Sequence, residues 1–161
     1  MVGFAFAAAS ATLVGQNLGA KKIARAEKSA WEAVAFFEII LTALLLLFIS
    51  FPEGIIRIFS EEEGVIEIGG EYVSLLGIAL PFLGLSVVLS RAFGGAGETR
   101  LPMIVTAIAL IGVRIPLSYY LASFMGVSGI WYGLLASNLI EGTIIALLFR
   151  RGSWKKAKLD V

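Results

Sequence analysis

Long apolar stretches alternate with short polar connections along this chain. Five of the stretches have about the 17–25 residues that a helix needs to cross the roughly 30 Å hydrocarbon core of a bilayer. The pattern therefore predicts five membrane-spanning helices, at about residues 2–19, 31–51, 72–93, 101–124 and 127–149. Only Met125 and Gly126 separate the last two stretches, which indicates a tight helical hairpin.

The composition favours the same class of protein. Apolar residue types make up 58% of the 161 residues, whereas charged residues make up only 16%. A domain of this size cannot bury that much apolar surface in its own core, so lipid is the natural solvent. The sequence therefore predicts an all-α membrane protein.

The chemistry available to the chain is narrow. It contains no cysteine and no histidine, which excludes disulfides, thiolate metal sites and the commonest general base. Gly94, Gly95 and Gly97 lie between two predicted spans, which is not the context of a nucleotide-binding fingerprint. We expect no enzymatic activity and no cofactor. The basic clusters are short and adjoin the spans, so we expect contacts with membrane lipids and no nucleic acid.

The basic residues predict an orientation. The four connections and the tail after the last span carry 4, 1, 2, 0 and 5 Lys or Arg residues in chain order, where Arg91 at the end of the third span is counted with the connection that follows it. Cytoplasmic connections carry the Lys/Arg excess. We therefore predict a multi-pass protein of the plasma membrane, with a cytoplasmic C-terminus and a basic cytoplasmic tail at residues 155–161. The acidic segment at residues 52–70 is predicted to lie outside, with a short amphipathic helix.

This orientation places the N-terminus outside the cell. An odd number of spans with an external start, and no signal peptide before it, favours a chain that lacks upstream helices. A small protein with an outward N-terminus is the alternative.

Four short stretches carry a family resemblance. They are ASATLVGQNLGAKK at residues 9–22, FGGAGETRLP at 93–102, RIPLSYY at 114–120 and GVSGIW at 126–131. The first resembles the end of the second helix in each half of the multidrug and toxic compound extrusion (MATE) family. The other three resemble the C-terminal half of that family, in order and spacing.

The resemblance implies a fold of twelve helices in two six-helix lobes. Residues 1–154 would then be part of the C-terminal lobe, with the predicted spans as helices eight to twelve. It also implies a secondary active efflux transporter that exports small organic substrates, drug-like or toxic, by antiport of Na⁺ or H⁺. An upstream half of the transporter would be its partner. The alternatives are a polysaccharide or lipid flippase of the same superfamily, and a non-transporting membrane scaffold or gene remnant.

Three charged residues lie deep inside the predicted spans, well away from the span ends. Glu38 and Glu141 are some 10–12 Å deep, and Arg114 is about 20 Å deep, at 1.5 Å per residue. An isolated charge at the bilayer centre costs about 2.5–3.5 kcal/mol on insertion scales, so each needs a partner or a cavity. We predict Glu38 or Glu141 as the site of the coupling cation or proton, with Arg114 in the same candidate set. The alternatives are a structural pair with Arg114 and carboxylates that point into a gap between the two lobes.

The resemblance does not extend to every site of the family. Some members carry an acidic residue in the helix that matches the third span, whereas residues 80–89 of this chain contain none. A cation site is therefore not predicted there.

Prolines and aromatic residues supply further candidates. Pro81 and Pro116 lie inside spans, where proline removes a helical hydrogen bond and kinks the helix, so they are candidate hinges. Static kinks are the alternative. Phe36, Phe82 and Tyr119 are candidates to line a cavity for organic substrates, with lipid contact as the alternative.

Three smaller predictions concern packing and helix ends. Gly15 and Gly19 are four residues apart, which predicts close packing of two helices in lipid. Thr99 is predicted to cap the helix that follows it. The tryptophans near the span ends are predicted to anchor the chain in the headgroup region: Trp31, Trp131 and Trp154.

Overall fold

The computed structural model describes residues 2–156, and this part of the chain is helical with no strand. The helices are α1 (Val2–Gly19), α2 (Ile23–Ser50), α3 (Pro52–Arg57), α4 (Glu63–Gly95), α5 (Arg100–Ala107), a π-helix (Ile108–Arg114), α6 (Ile115–Met125), α7 (Val127–Arg151) and a final 3₁₀ turn (Ser153–Lys156). The predicted all-α class is confirmed. Residues 157–161, which form most of the predicted basic tail, lie outside the described residues.

Within residues 2–156, four helices are long and apolar enough to cross a membrane. They are α2, α4, the continuous helix Arg100–Met125 and α7. These four occupy the second to fifth predicted spans. Helix α1 occupies the first predicted span, but its mean hydropathy is too low for it to be counted with these four. The polar side chains of Gln16 and Asn17 in its last turns lower its hydropathy.

Two helices begin well before the predicted spans. Helix α2 begins at Ile23, in the basic segment, and α4 begins at Glu63, inside the segment expected to connect two spans. An acidic residue in the first turn of α4 favours this early start, because it interacts well with the helix dipole. The remaining connection contains α3, the predicted short helix, followed by the exposed side chains of Ile58 and Phe59.

Helix α4 lies at the centre of the packing and contacts α1, α2, α3 and α7. Glycines allow these helices to approach closely, as is common in membrane bundles. Gly95 of α4 lies against the backbone of Ala11 in α1, and Gly15 faces the carbonyl of Gly95. The close-packing prediction is confirmed for Gly15. It is wrong for Gly19, which has no neighbouring atom within 4 Å of a Cβ placed there.

The turn between α4 and α5 is capped by a carboxylate. Gly97 has a φ of +81°, a conformation that favours glycine. The Glu98 side chain then accepts hydrogen bonds from the backbone N–H groups of Arg100 (3.0 Å) and Leu101 (3.2 Å). Thr99 makes no side-chain cap, so that prediction is wrong. The acidic side chain satisfies two free N–H groups and faces the positive end of the helix dipole.

The C-terminal turn folds back onto the bundle. Gly152 adopts a φ of +77° and ends α7, and the following turn brings Trp154 into full burial against Phe149. Lys155 forms an ion pair with Glu27 of α2 at 2.6 Å. The predicted membrane anchor at Trp154 is wrong, because its indole is enclosed by protein rather than placed against lipid headgroups.

Candidate functional site

Glu141 joins three helices. It lies in α7 with only 8% of its surface exposed. One of its carboxylate oxygens accepts hydrogen bonds from the Ser86 hydroxyl of α4 and from the Thr106 hydroxyl of α5, each at 2.8 Å. A carboxylate buried within a membrane span therefore has polar partners from two other spans.

The neighbouring glycine makes this arrangement possible. Gly142 lies directly against the backbone of Phe82, where a side chain would collide. Because residues four apart share a face of a helix, close approach at Phe82 also brings Ser86 towards α7. The position of Glu141 thus follows from backbone packing of α4 against α7.

Arg114 is held by the same face of α7. Its Nε donates a hydrogen bond to Ser137 at 2.7 Å, and one terminal nitrogen donates to Asn138 at 3.2 Å. No ion pair between Arg114 and Glu141 forms within residues 2–156. Glu141 and Arg114 therefore do not form the pair considered from the sequence. Each forms hydrogen bonds with neutral side chains instead.

A π-helix lies between Thr106 and Arg114, the two residues of the Arg100–Met125 helix whose side chains form hydrogen bonds with side chains of α7. Thr106 precedes the Ile108–Arg114 segment and Arg114 ends it, yet both side chains reach α7. Eight residues of regular α-helix would place two side chains about 80° apart. The wider turns of the π-helix change this angle, and such segments are frequent at functional sites. We call the residues joined here the α7 polar cluster: Ser86, Thr106, Arg114, Ser137, Asn138 and Glu141.

Glu38 occupies a different site. Its side chain extends from α2 towards Gly84 of α4, where a Cβ would stand 2.6 Å from its Oε1. This oxygen is buried and has no hydrogen-bond partner among the described residues. A buried polar atom without a partner is costly, so the oxygen is available to a proton or a cation. An apolar cavity of about 280 Å³ adjoins it, lined in part by Phe37 and Leu41.

The two carboxylates lie on opposite sides of α4. Glu38 contacts this helix at Gly84, and Glu141 contacts it at Ser86. Two residues along an α-helix correspond to a rotation of about 200°. The structure therefore brings Arg114 and Glu141 into one cluster and separates Glu38 from both.

The candidate hinges have different surroundings. Pro81 lies inside α4, which continues without interruption from Glu63 to Gly95. Pro116 lies in the first turn of α6, directly after the π-helix, where a missing N–H is best tolerated. Their role as hinges stays a prediction.

The candidate aromatic residues do not form one cavity. Phe36 is 63% exposed on the outer face of α2. Phe82 is half-buried on the side of α4 that faces α7, and Tyr119 is 84% exposed beside Arg114. Tyr119 is thus the one of the three that shares a groove with a predicted ionisable residue. The lining roles stay predictions.

Four partners in the α7 polar cluster were not predicted. Ser86, Thr106, Ser137 and Asn138 are small polar residues within apolar helices. The spacing of Ser137, Asn138 and Glu141 on one helix was the signal available, because residues three and four apart share a face. Hydroxyl and amide side chains are common enough in membrane helices that this signal is weak without the neighbouring helices.

Comparison with known proteins identifies the family. The model of the MatE family matches residues 1–120, about three quarters of the chain. The chain belongs to the MatE family. The match includes Glu38, Ser86, Thr106 and Arg114, whereas Glu141 lies beyond its end.

Two relatives match nearly the whole of this MatE chain, and a third matches about two thirds of it. The probable multidrug resistance protein NorM of Thermotoga maritima is 30% identical, over 97% of this chain and 34% of its own length. Multidrug and toxin extrusion protein 1 of Mus musculus is 24% identical, over 98% of this chain and 28% of its own length. The probable multidrug resistance protein YpnP of Bacillus subtilis is 28% identical, over 68% of this chain and 24% of its own length.

The family resemblance drawn from the sequence is confirmed. The MatE chain is a membrane protein, and the part of it that the structure describes has four helices long and apolar enough to cross a bilayer. It spans about a third of the length of the first two relatives. The family consists of transporters rather than enzymes, and the names of these relatives refer to drug resistance and extrusion.

Proposed function

We propose that this chain is part of a secondary active efflux transporter. In this proposal the transporter exports drug-like or toxic organic compounds in exchange for H⁺ or Na⁺ across the plasma membrane. Membership of the MatE family and the names of its relatives support the class of activity. The observation that carries the coupling role is the burial of Glu141 within a membrane span.

The α7 polar cluster suits reversible binding at Glu141. A hydroxyl is both a donor and an acceptor, so Ser86 and Thr106 are able to donate to the carboxylate or to turn and accept from its protonated form. The same hydroxyl and carboxylate oxygens are ligands of the kind that a hard cation prefers. Glu141 is therefore proposed as the coupling residue, and loading or unloading it changes the contacts among α4, α5 and α7.

Glu38 is proposed as a second coupling candidate. Its buried and unpartnered oxygen supports a role in binding a proton or cation between α2 and α4. Because this site lies on the other side of α4, replacing one carboxylate tests its role in coupling without removing a contact of the other.

The test uses vesicles from a host without its own efflux pumps. The chain is expressed within the complete reading frame that contains it, and efflux of a fluorescent dye is followed under an imposed pH or Na⁺ gradient. We expect Glu141→Gln to abolish gradient-driven efflux while the protein remains folded. Glu67→Gln, on the exposed outer part of α4, is the matched control and should leave efflux unchanged.

Each result has a defined meaning. A response to only one of the two gradients identifies the coupling ion. Unchanged coupling in both Glu38→Gln and Glu141→Gln removes the proposed role of these carboxylates. A folded protein that moves no dye under either gradient contradicts the efflux function and favours the scaffold alternative.

A further inference from the structure

A groove runs between α4 and α5 and ends at Thr106. It has a volume of about 480 Å³ and begins near the turn that joins the two helices, where Gly94 and Thr99 line it. Thr106 is seven residues after Thr99, which corresponds to about 10 Å of helix. The Thr106 hydroxyl donates a hydrogen bond to Glu141 at 2.8 Å. The groove therefore leads from the exposed turn to a residue in direct contact with the buried carboxylate.

The size and lining of the groove suit water. One water molecule takes up about 30 Å³ in the liquid, so the groove has room for several. Three of the residues that line it carry hydroxyl groups: Ser90, Thr99 and Thr106. The Ser90 hydroxyl is buried and has no hydrogen-bond partner among the described residues. Because buried hydroxyls are normally paired with protein or with water, this atom favours a water molecule beside the groove.

The charges around the groove favour a proton over a metal ion. The described residues that line it include no acidic side chain, whereas Arg91 adds a positive charge. A metal ion keeps its full charge and its need for oxygen ligands along the whole route, and like charges repel. A proton instead passes between hydroxyl and water oxygens, each of which is a donor and an acceptor. Arg114, the other charged member of the α7 polar cluster besides Glu141, is bound by neutral side chains.

We infer that this groove is the route by which Glu141 exchanges a proton with water on the side of the α4–α5 turn, with Thr106 as the relay. In loading, the Thr106 hydroxyl passes its hydrogen to Oε1 of Glu141 and takes a proton from a hydronium ion in the groove, which becomes water. One O–H bond breaks as the carboxyl O–H bond forms, and the second transfer restores the hydroxyl. Unloading reverses both transfers. Ser86 donates to the same oxygen but does not line the groove, so it positions the carboxylate without reaching this water.

This inference rests on the proposed coupling role of Glu141 and adds the ion and its route. The α4–α5 turn lies on the predicted cytoplasmic side. The groove would therefore supply the cytoplasmic half of the proton exchange that antiport requires.

The first test asks whether the groove contains water. The chain is kept within the complete reading frame that contains it, any cysteine outside the chain is replaced by serine, and Met103→Cys and Ile104→Cys are made singly. Met103 lines the groove, whereas its neighbour Ile104 is 48% exposed but does not line it. A membrane-impermeant thiosulfonate, applied from the side of the turn, reacts with ionised thiols in water. We expect it to label Met103→Cys about tenfold or more faster than Ile104→Cys.

The second test measures proton uptake by Glu141. After a pH jump, the infrared carboxyl band that Glu141→Gln abolishes reports the protonation of this residue. We expect Thr106→Val, which keeps the shape but removes the hydroxyl, to slow uptake about tenfold or more, and Thr106→Ser to retain the parent rate. Ser86→Ala is the matched comparison, because it removes the other hydrogen bond to the same oxygen outside the groove. It should slow uptake much less than Thr106→Val.

A third measurement keeps the test decisive if Thr106→Val does not fold. Attaching the thiosulfonate label to Met103→Cys in the folded protein fills the groove, so proton uptake by Glu141 should slow about tenfold. Removing the label with a thiol reductant should restore the rate. The same label, attached to Ile104→Cys by prolonged exposure, should leave uptake unchanged.

Four results would overturn the inference. They are equal labelling rates of Met103→Cys and Ile104→Cys, rapid uptake in Thr106→Val, rapid uptake after the groove is filled, and no carboxyl band that depends on Glu141. The last would leave the proposed function with Na⁺ as the coupling ion. If labelling and uptake follow expectation while Glu141→Gln leaves gradient-driven efflux intact, the proposed coupling role fails and the proton route stands.

Discussion

The indole ring of Trp154 lies flat on the ring of Phe149, with centroids 4.7 Å apart and an angle of 14° between the ring planes. Its N–H also donates a hydrogen bond to the Phe149 carbonyl at 2.9 Å. Phe149 in turn meets the edges of Trp31 and Phe93, so one aromatic cluster ties the end of α7 to α2 and α4.

We predict that Trp154→Ala lowers the free energy of unfolding by about 3–5 kcal/mol, the usual effect of removing a large buried aromatic side chain. Phe59→Ala is the control, because Phe59 is 82% exposed and should contribute less than about 0.5 kcal/mol. Unfolding by SDS in mixed micelles measures both. Equal effects of the two variants would show that the C-terminal turn does not dock on the bundle.

The contact of Gly142 with Phe82 leads to a second prediction. Gly142→Ala should force α4 and α7 apart and destabilise the protein by about 1–3 kcal/mol, as overpacking usually does. Gly64→Ala is the matched control, since a Cβ at Gly64 meets no atom within 4 Å. Alanine is the better helix former, so the control should be neutral or slightly stabilising. The same SDS titration compares the two, and a harmless Gly142→Ala would contradict this packing.

The hydrogen bond between Ser86 and Glu141 is testable by a double-mutant cycle. We expect Ser86→Ala and Glu141→Gln to be non-additive by about 0.5–2 kcal/mol, the range measured for such bonds between membrane helices. The control cycle pairs Glu141→Gln with Ser90→Ala. Ser90 lies one turn along α4, and its hydroxyl has no partner in the part of the chain described. Equal coupling in both cycles would argue against a direct contact.

The π-helix predicts a specific response to a shortened chain. Deleting Gly112 removes one residue from the Ile108–Arg114 segment and favours regular α-helix, which rotates Arg114 relative to Thr106. A bifunctional thiol reagent should cross-link the cysteine pair Arg114→Cys and Ser137→Cys in the parent chain, because the Arg114 side chain spans the gap between the two positions, and it should fail to do so after the deletion.

Gly112→Ala serves as the control for that deletion, because a Cβ there makes only ordinary contact with Ile108 at 3.7 Å. It changes the residue without changing the register, so the cross-link should persist. Efficient cross-linking after the deletion would mean that the π-helix does not set the position of Arg114.

The predicted orientation is testable because the chain has no native cysteine. Single cysteines at Lys22, Glu62 and Arg100 sample three successive connections. In intact cells, a membrane-impermeant maleimide should label Glu62→Cys alone, and permeabilised cells should show labelling at all three positions. Labelling of Lys22→Cys in intact cells would reverse the orientation drawn from the basic residues.

The sequence indicated which charged residues lie inside membrane spans, but it said much less about which side chains contact each other. The hydropathy pattern placed Glu38 and Glu141 inside membrane spans, since a long apolar run has few other environments. It did not identify Ser86 or Thr106 as partners of Glu141. Those contacts depend on how closely α4 and α7 approach, which is set by the glycine next to Glu141.

Local backbone geometry explains the other differences between the predictions from the sequence and the structure. Residues 108–114 look like any apolar helix, so their π-helical turns leave no mark on the hydropathy pattern. Trp154 stands beside basic residues, as an interfacial tryptophan does, yet the left-handed Gly152 before it turns the chain back into the protein. Glu98 replaced Thr99 as the cap because its longer side chain reaches two N–H groups of the next helix.

Helix α4 has 33 residues and is therefore about 50 Å long, against a hydrocarbon core of roughly 30 Å. It contacts Glu38 on one side, at Gly84, and Glu141 on the other, at Ser86. If α4 moves as one rigid helix, a single tilt changes the surroundings of both carboxylates, so the two sites would respond to the same motion of the protein.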